Sequence, residues 1–234
     1  MKAHRCLRIS LLFLLLCTPA FSGVYFSAAT ELHSRYIFRG TSPAGVRPAM
    51  SLNVSAYFPA SRIGITQWYL NSLPDLSAYR EAVTMVNYYH DLRDNISASA
   101  GVSAYYYPGV ADTPPVTAEF DLRFSYSGTP FPASVESYFD IVHKSWYWKF
   151  SAAHTFDLFL PLQIGVNAGV NALSYSRFGQ TIPRGFSDVS ASLSTYISLK
   201  NWQFTPKLSY IVSLNKTLPR PMLVRACLYA AYSF

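Results

Sequence analysis

The 234-residue chain is half hydrophobic and 16% aromatic, yet only 13% of its residues are charged, against about a quarter in an ordinary globular domain. Past residue 23 no apolar run approaches the roughly 20 residues that a membrane helix needs. That excludes a helical span and leaves a large soluble β core or a β-barrel in lipid.

The first residues set the compartment. Lys2, Arg5 and Arg8 form a basic n-region, Ile9 to Cys17 is a short apolar core, and Pro19-Ala20-Phe21-Ser22 offers a small-x-small site. This pattern predicts a signal peptide over 1–22, cleaved after Ser22, and one domain over 23–234. Its removal would take three of 19 basic residues and none of 12 acidic ones, lowering the net charge from +7 to +4. Cys6 and Cys17 would leave with it. Cys227 then stands alone, so no internal disulfide is expected, and it reads as a small packing residue.

From residue 24 the chain breaks into segments of about ten residues that alternate apolar and polar side chains, separated by turn residues. Twelve are predicted, at 24–38, 47–58, 62–71, 78–90, 95–107, 116–126, 133–142, 145–155, 160–172, 187–199, 202–213 and 221–234. In the first, Leu32, Tyr36 and Phe38 oppose Glu31, His33 and Arg35. The sixth has the clearest period: Val116, Ala118, Phe120, Leu122, Phe124 and Tyr126 alternate with Thr117, Glu119, Asp121, Arg123 and Ser125.

The last segment decides between core and lipid. Val224, Ala226, Leu228, Ala230, Tyr232 and Phe234 make one apolar series ending on an aromatic at the chain terminus. A soluble strand rarely ends so, whereas aromatic side chains are favoured at a membrane interface. The count is even and connections alternate short and long, the exception being His143-Lys144. A secreted β-sandwich is the weaker alternative. The expected fold is an all-β transmembrane antiparallel barrel of about 12 strands in a Gram-negative outer membrane, with N- and C-termini periplasmic. Leu228, Tyr232 and Phe234 would form the signal read by the barrel-assembly machinery.

Three stretches resemble the TorF-type porin family of small outer-membrane barrels. They are Ser34-Arg35-Tyr36-Ile37-Phe38-Arg39-Gly40 with Pro48-Ala49, the run Gly101-Val102-Ser103-Ala104-Tyr105-Tyr106-Tyr107-Pro108-Gly109, and the terminal Tyr232-Ser233-Phe234. The resemblance implies a porin and leaves its solute open.

With the apolar series facing lipid, the candidate pore-lining residues are Glu31, Arg35, Glu119, Asp121, Arg123, Glu136, Asp140, Lys149, Asp188, Lys207 and Arg225. A hairpin over 127–132 would place Arg123 opposite Glu136 and Glu119 opposite Asp140, with Lys149 diagonal to Asp140. Such charges either close a small lumen structurally or form a selective constriction, and twelve strands lie between the roughly 8 that side chains fill and the 16 that leave an open channel. External loops carry a basic rim of Arg39, Arg47, Lys144, Arg177, Arg184, Lys216 and Arg220, suited to contact with outer-membrane lipid and lipopolysaccharide.

No enzyme is expected. His154 has outward parity without a neighbouring nucleophile, and the histidines show no metal-ligand spacing. No cofactor, metal or nucleic-acid ligand is predicted. The functional expectation is a porin-like channel for passive diffusion of small hydrophilic solutes. The alternative is a non-conducting structural or adhesive barrel that acts through its external loops.

Overall fold

The computed structural model describes residues 23–39, 41–45, 47–73, 79–108, 110, 114–177, 180–214 and 222–234. The predicted signal peptide and its cleavage site at Ser22 lie outside them. Strands are β1 (Tyr25–His33), β2 (Ala49–Phe58), β3 (Ile63–Ser72), β4 (Arg80–Arg93), β5 (Ile96–Tyr106), β6 (Val116–Tyr126), β7 (Ala133–Asp140) and β8 (Ser145–Phe156). They continue with β9 (Leu162–Asn171), β10 (Tyr175–Arg177), β11 (Gln180–Ile182), β12 (Gly185–Thr195), β13 (Ile197–Leu199), β14 (Trp202–Ser213) and β15 (Met222–Ser233). The described residues contain no helix.

Each wall strand pairs antiparallel with its neighbour in sequence. Two further pairings, β12 with β14 and β1 with β15, close the sheet on itself. Because β12 and β13 are one wall strand interrupted at Tyr196, the sheet closes as a 12-stranded barrel. β10 and β11 form a separate hairpin inside a connection that the sequence leaves as a plain loop.

The two faces of β6 show what drives the fold. Phe120, Leu122 and Phe124 are 52%, 52% and 54% exposed on the outside, while Thr117 and Glu119 are 1% and 0% exposed within. This inverts a soluble core, and it is stable only where the outer solvent is hydrocarbon. Closure removes every sheet edge, so the backbone groups of the wall need no water. Exposed aromatics flank the apolar band at both ends. Tyr25, Tyr126, Phe156, Trp202 and Phe234 stand at the end that holds the termini, and Tyr106, Phe139, Trp146, Phe186 and Tyr210 at the other. These are the two interfacial girdles of a membrane barrel.

The predicted boundaries of β6 and β14 coincide with the strands observed. Connections at the termini end are mostly tight, helped by Arg62 and Lys200 at φ 57° and 55°. Phe234 N–H donates to Phe26 O at 3.0 Å, fixing both termini at that end. The longer connections lie opposite, apart from the turn at 141–144.

One prediction fails at the first strand. β1 stops at His33 and the chain after it turns into the barrel, so Tyr36, expected on the apolar outer series, is 8% exposed in an internal cluster with Leu70, Tyr79, Val83, Tyr105 and Tyr107. Phe38 packs against the same cluster.

Candidate functional site

The lumen encloses a cavity of about 730 Å³. Its walls combine polar side chains from the strands with Ile37, Phe38 and Arg39 from the segment that follows β1. Seven of the predicted pore-lining residues border it: Asp121, Arg123, Glu136, Lys149, Asp188, Lys207 and Arg225. Two others, Glu119 and Asp140, are fully buried in the wall at 0% exposure. Glu31 accepts a hydrogen bond from Cys227 Sγ at 2.7 Å. Arg35, beyond the end of β1, borders no part of the cavity.

Arg39 corrects the predicted basic rim, because it lies inside the barrel. A backbone bridge between Phe38 and Thr41, with N–H···O distances of 2.9 Å in both directions, makes a tight turn that carries Arg39 at φ 48°. Its guanidinium grips Glu119 with both arms, Nη1–Oε1 at 2.7 Å and Nη2–Oε2 at 2.6 Å. The rings of Phe38, Tyr138 and Tyr147 surround it at 4.7, 4.7 and 4.9 Å. Two parallel charge-assisted bonds within an aromatic cage hold an arginine strongly. Burial would lower the Arg39 pKa, but the charge and hydrogen bonds of Glu119, with Tyr105 and Tyr175, together outweigh it and hold it well above the usual guanidinium range. Tyr105 Oη also donates to Glu119, at 2.8 Å.

The same segment is anchored by Tyr36, whose hydroxyl donates to Glu81 Oε2 at 3.2 Å; Tyr79 donates to that oxygen at 2.9 Å. Burial, reinforced by the Glu81 charge, raises the Tyr36 phenol well above its ordinary pKa, so it remains a donor.

Across β6, β7 and β8 the predicted cross-strand pairs are present: Glu119 faces Asp140 and Arg123 faces Glu136. Glu119 and Asp140, though opposite, are held by different partners. Asp140 Oδ1 accepts from Thr117 Oγ1 at 2.7 Å and from the backbone N–H of Val142 and His143 at 2.9 Å each. His143 Nδ1 lies 2.8 Å from Asp140 Oδ2. Asp140 therefore caps the turn at 141–144 and ends β7 at that point. The four-residue turn sets Lys149 directly opposite Glu136, where the sequence placed it diagonal to Asp140. Glu136 binds Lys149 at 3.2 Å, lies 4.0 Å from Arg123, and accepts from the Tyr138 hydroxyl.

On β12 a register shift between Phe186 and Asp188 leaves Ser187 unpaired in the ladder. Ser187 Oγ donates to Asp188 Oδ1 at 2.6 Å. Gly169 on β9 makes room for this: a Cβ there would lie 2.3 Å from Tyr147 Oη and 2.5 Å from Ser187 Oγ. On the remaining wall, Lys207 of β14 and Arg225 of β15 reach the cavity and form no ion pair among the described residues.

Of the rest of the rim, Arg47, Lys144 and Arg184 are exposed. The Arg177 side chain, Lys216 and Arg220 lie outside the described residues. Leu228 and Phe234 project outward at 45% and 70% exposure, and Tyr232 packs edge-on between Trp202 and Phe234. His154 Nδ1 lies 2.6 Å from Pro130 O, its ring contacts Phe131 and Phe156, and it faces Ile164 on the adjoining strand. No nucleophile stands beside it among the described residues. Sequence reading missed Arg39 as a lumen residue; it put Tyr105, Tyr138 and Tyr147 on the inward-facing series without singling them out, and it missed the convergence of His33 with Cys227 across the closing pair of strands. The Phe-Arg-Gly run at 38–40 was the available signal for the first of these.

No family model matches the chain, and no curated protein does. Among solved structures it is similar to the KdgM porin, with a TM-score of 0.58 at 13% identity over 90% of this chain and 99% of that one. It is similar to the NanC porin at 0.59 and 7%, over 88% and 98% of the two chains. It is also similar to an outer membrane channel from Pseudomonas putida F1 at 0.52 and 11%, over 92% and 96%. At such identities the likeness is one of architecture, and the chain has the closed antiparallel barrel fold found in these outer-membrane channels.

Proposed function

We propose that the protein is a porin-type channel of the bacterial outer membrane, passing small hydrophilic solutes by passive diffusion and favouring anions. The observation that carries this reading is the charged lumen cavity of about 730 Å³, lined by Arg39, Arg123, Lys149, Lys207 and Arg225 against Asp121, Glu136 and Asp188, with Lys207 and Arg225 in no ion pair among the described residues. Unmatched cations inside a narrow, low-dielectric tube concentrate anions and repel cations. The architecture supports the reading, and one KdgM structure was solved with disordered oligogalacturonate. The resemblance to TorF-type porins belongs to the same proposal.

In this reading the signal peptide is cleaved after Ser22 and the termini and tight turns face the periplasm. Leu228, Tyr232 and Phe234 are read by the assembly machinery, and exposed Arg47, Lys144 and Arg184 contact lipopolysaccharide phosphates. Arg39 and its segment narrow the pore. Solute movement uses no cofactor and no covalent step.

Single-channel recording of the refolded mature protein in a planar bilayer, with a salt gradient, tests the proposal. Discrete openings with an anion-selective reversal potential are the expected result. A folded, heat-modifiable barrel that never conducts would overturn it and move function to the loops.

A further inference from the structure

We propose that Glu31, His33 and Cys227 form a three-ligand site for a borderline-soft divalent cation of the zinc type, on the lumen wall at the seam between β1 and β15. Glu31 and His33 are two apart on β1 and so share its inner face. Cys227 of β15 stands directly opposite His33 in the ladder. One carboxylate oxygen, one imidazole nitrogen and one sulfur, one from each residue, all lie within 4.8 Å of one another.

The second observation is His33 itself. It is only 6% exposed, and neither Nδ1 nor Nε2 has a hydrogen-bond partner. Nε2 stands 3.5 Å from Glu31 Oε2. A thiol–carboxylate packing cluster accounts for Cys227, which is free and donates to Glu31. It leaves both ring nitrogens of a buried imidazole without a hydrogen bond, an unfavourable state for a polar group removed from water. A bound cation gives that imidazole its partner.

The donor set selects the ion. Nitrogen and sulfur together disfavour magnesium and calcium, which take oxygen ligands, and favour zinc-like ions. Zinc bonds of about 2.0–2.3 Å hold ligand atoms about 3.3–3.7 Å apart in a tetrahedron. On binding, the thiol proton passes to solvent and the imidazole stays neutral. Thiolate and carboxylate then balance the charge of the ion. Lys207 of β14 faces Cys227, and Arg225 lies two residues from Cys227 on β15. Two neighbouring cations suit an anionic fourth ligand.

The test uses refolded, reduced, chelator-treated protein in detergent and does not depend on conduction. Titration with Cd2+ is expected to give a saturable ultraviolet thiolate-to-metal charge-transfer band at one ion per chain, displaced by Zn2+. Zn2+ is expected to slow alkylation of Cys227. Cys227→Ser should abolish the band, and His33→Gln, checked for heat-modifiable folding, should weaken Cd2+ binding by at least about tenfold. Absence of a saturable band in the folded wild type would overturn the proposal, as would His33→Gln binding Cd2+ as tightly as the wild type.

Discussion

The lumen has two walls of unlike character. On β6, β7 and β8, Glu119, Glu136 and Asp140 are matched by Arg39, Lys149, Arg123 and His143 at short range. On β14, β15 and β1, Lys207 and Arg225 face the cavity without an ion pair, and His33 is buried without a hydrogen bond. The first wall also carries Asp121, which borders the cavity without an ion pair, but only the second leaves cations unmatched among the described residues. A matched pair in low dielectric is chiefly structural, since each partner cancels the field of the other. An unmatched cation projects its field into the water beside it.

Substitutions can break that contrast. The largest effect is expected for Arg39→Ala, which strips the cation from a carboxylate of 0% exposure. Removing one partner of a buried pair costs about 3–5 kcal/mol, so the heat-modification midpoint should fall sharply, and any folded protein should show larger unitary conductance. Next is Glu136→Gln, which frees Lys149 and Arg123. Loss of about 1–3 kcal/mol in denaturant unfolding should accompany a reversal potential shifted further toward anions. The double substitution Lys207→Gln with Arg225→Gln should leave stability within about 1 kcal/mol while removing most of the anion preference. If that pair destabilises as much as Arg39→Ala, the two walls are not different in kind. The smallest effect is assigned to Lys144→Gly, in the exposed turn at φ 49°. It relieves a left-handed backbone, so stability should change by less than about 1 kcal/mol, and the reversal potential should stay where it was.

The barrel was legible because lipid and lumen impose period 2 on every crossing, and β6 and β14 carry that pattern to their ends. The segment after His33 was not legible for the same reason. Tyr36 and Phe38 continue the alternation of Leu32, and the pattern cannot tell a ring facing hydrocarbon from one facing an internal plug. The position of Lys149 shows a second limit. Asp140 captures two backbone N–H groups, so the turn spans 141–144 and the register moves by two residues. A shift of two preserves the face and changes the partner, which is why Lys149 was placed inside yet opposite the wrong acid. The hairpin of β10 and β11 lies in a connection where neither period nor length announces structure.

The pairing of β1 with β15 also has a consequence for assembly. The Cys227–Glu31 hydrogen bond joins residues separated by 196 positions, almost the longest loop that this chain can close. No local nucleus can form it, because β15 must already be present for β1 to pair with it. Contacts of such sequence separation are entropically expensive to initiate. The Cys227–Glu31 bond therefore marks closure in its geometry, since it can form only once β1 and β15 have met.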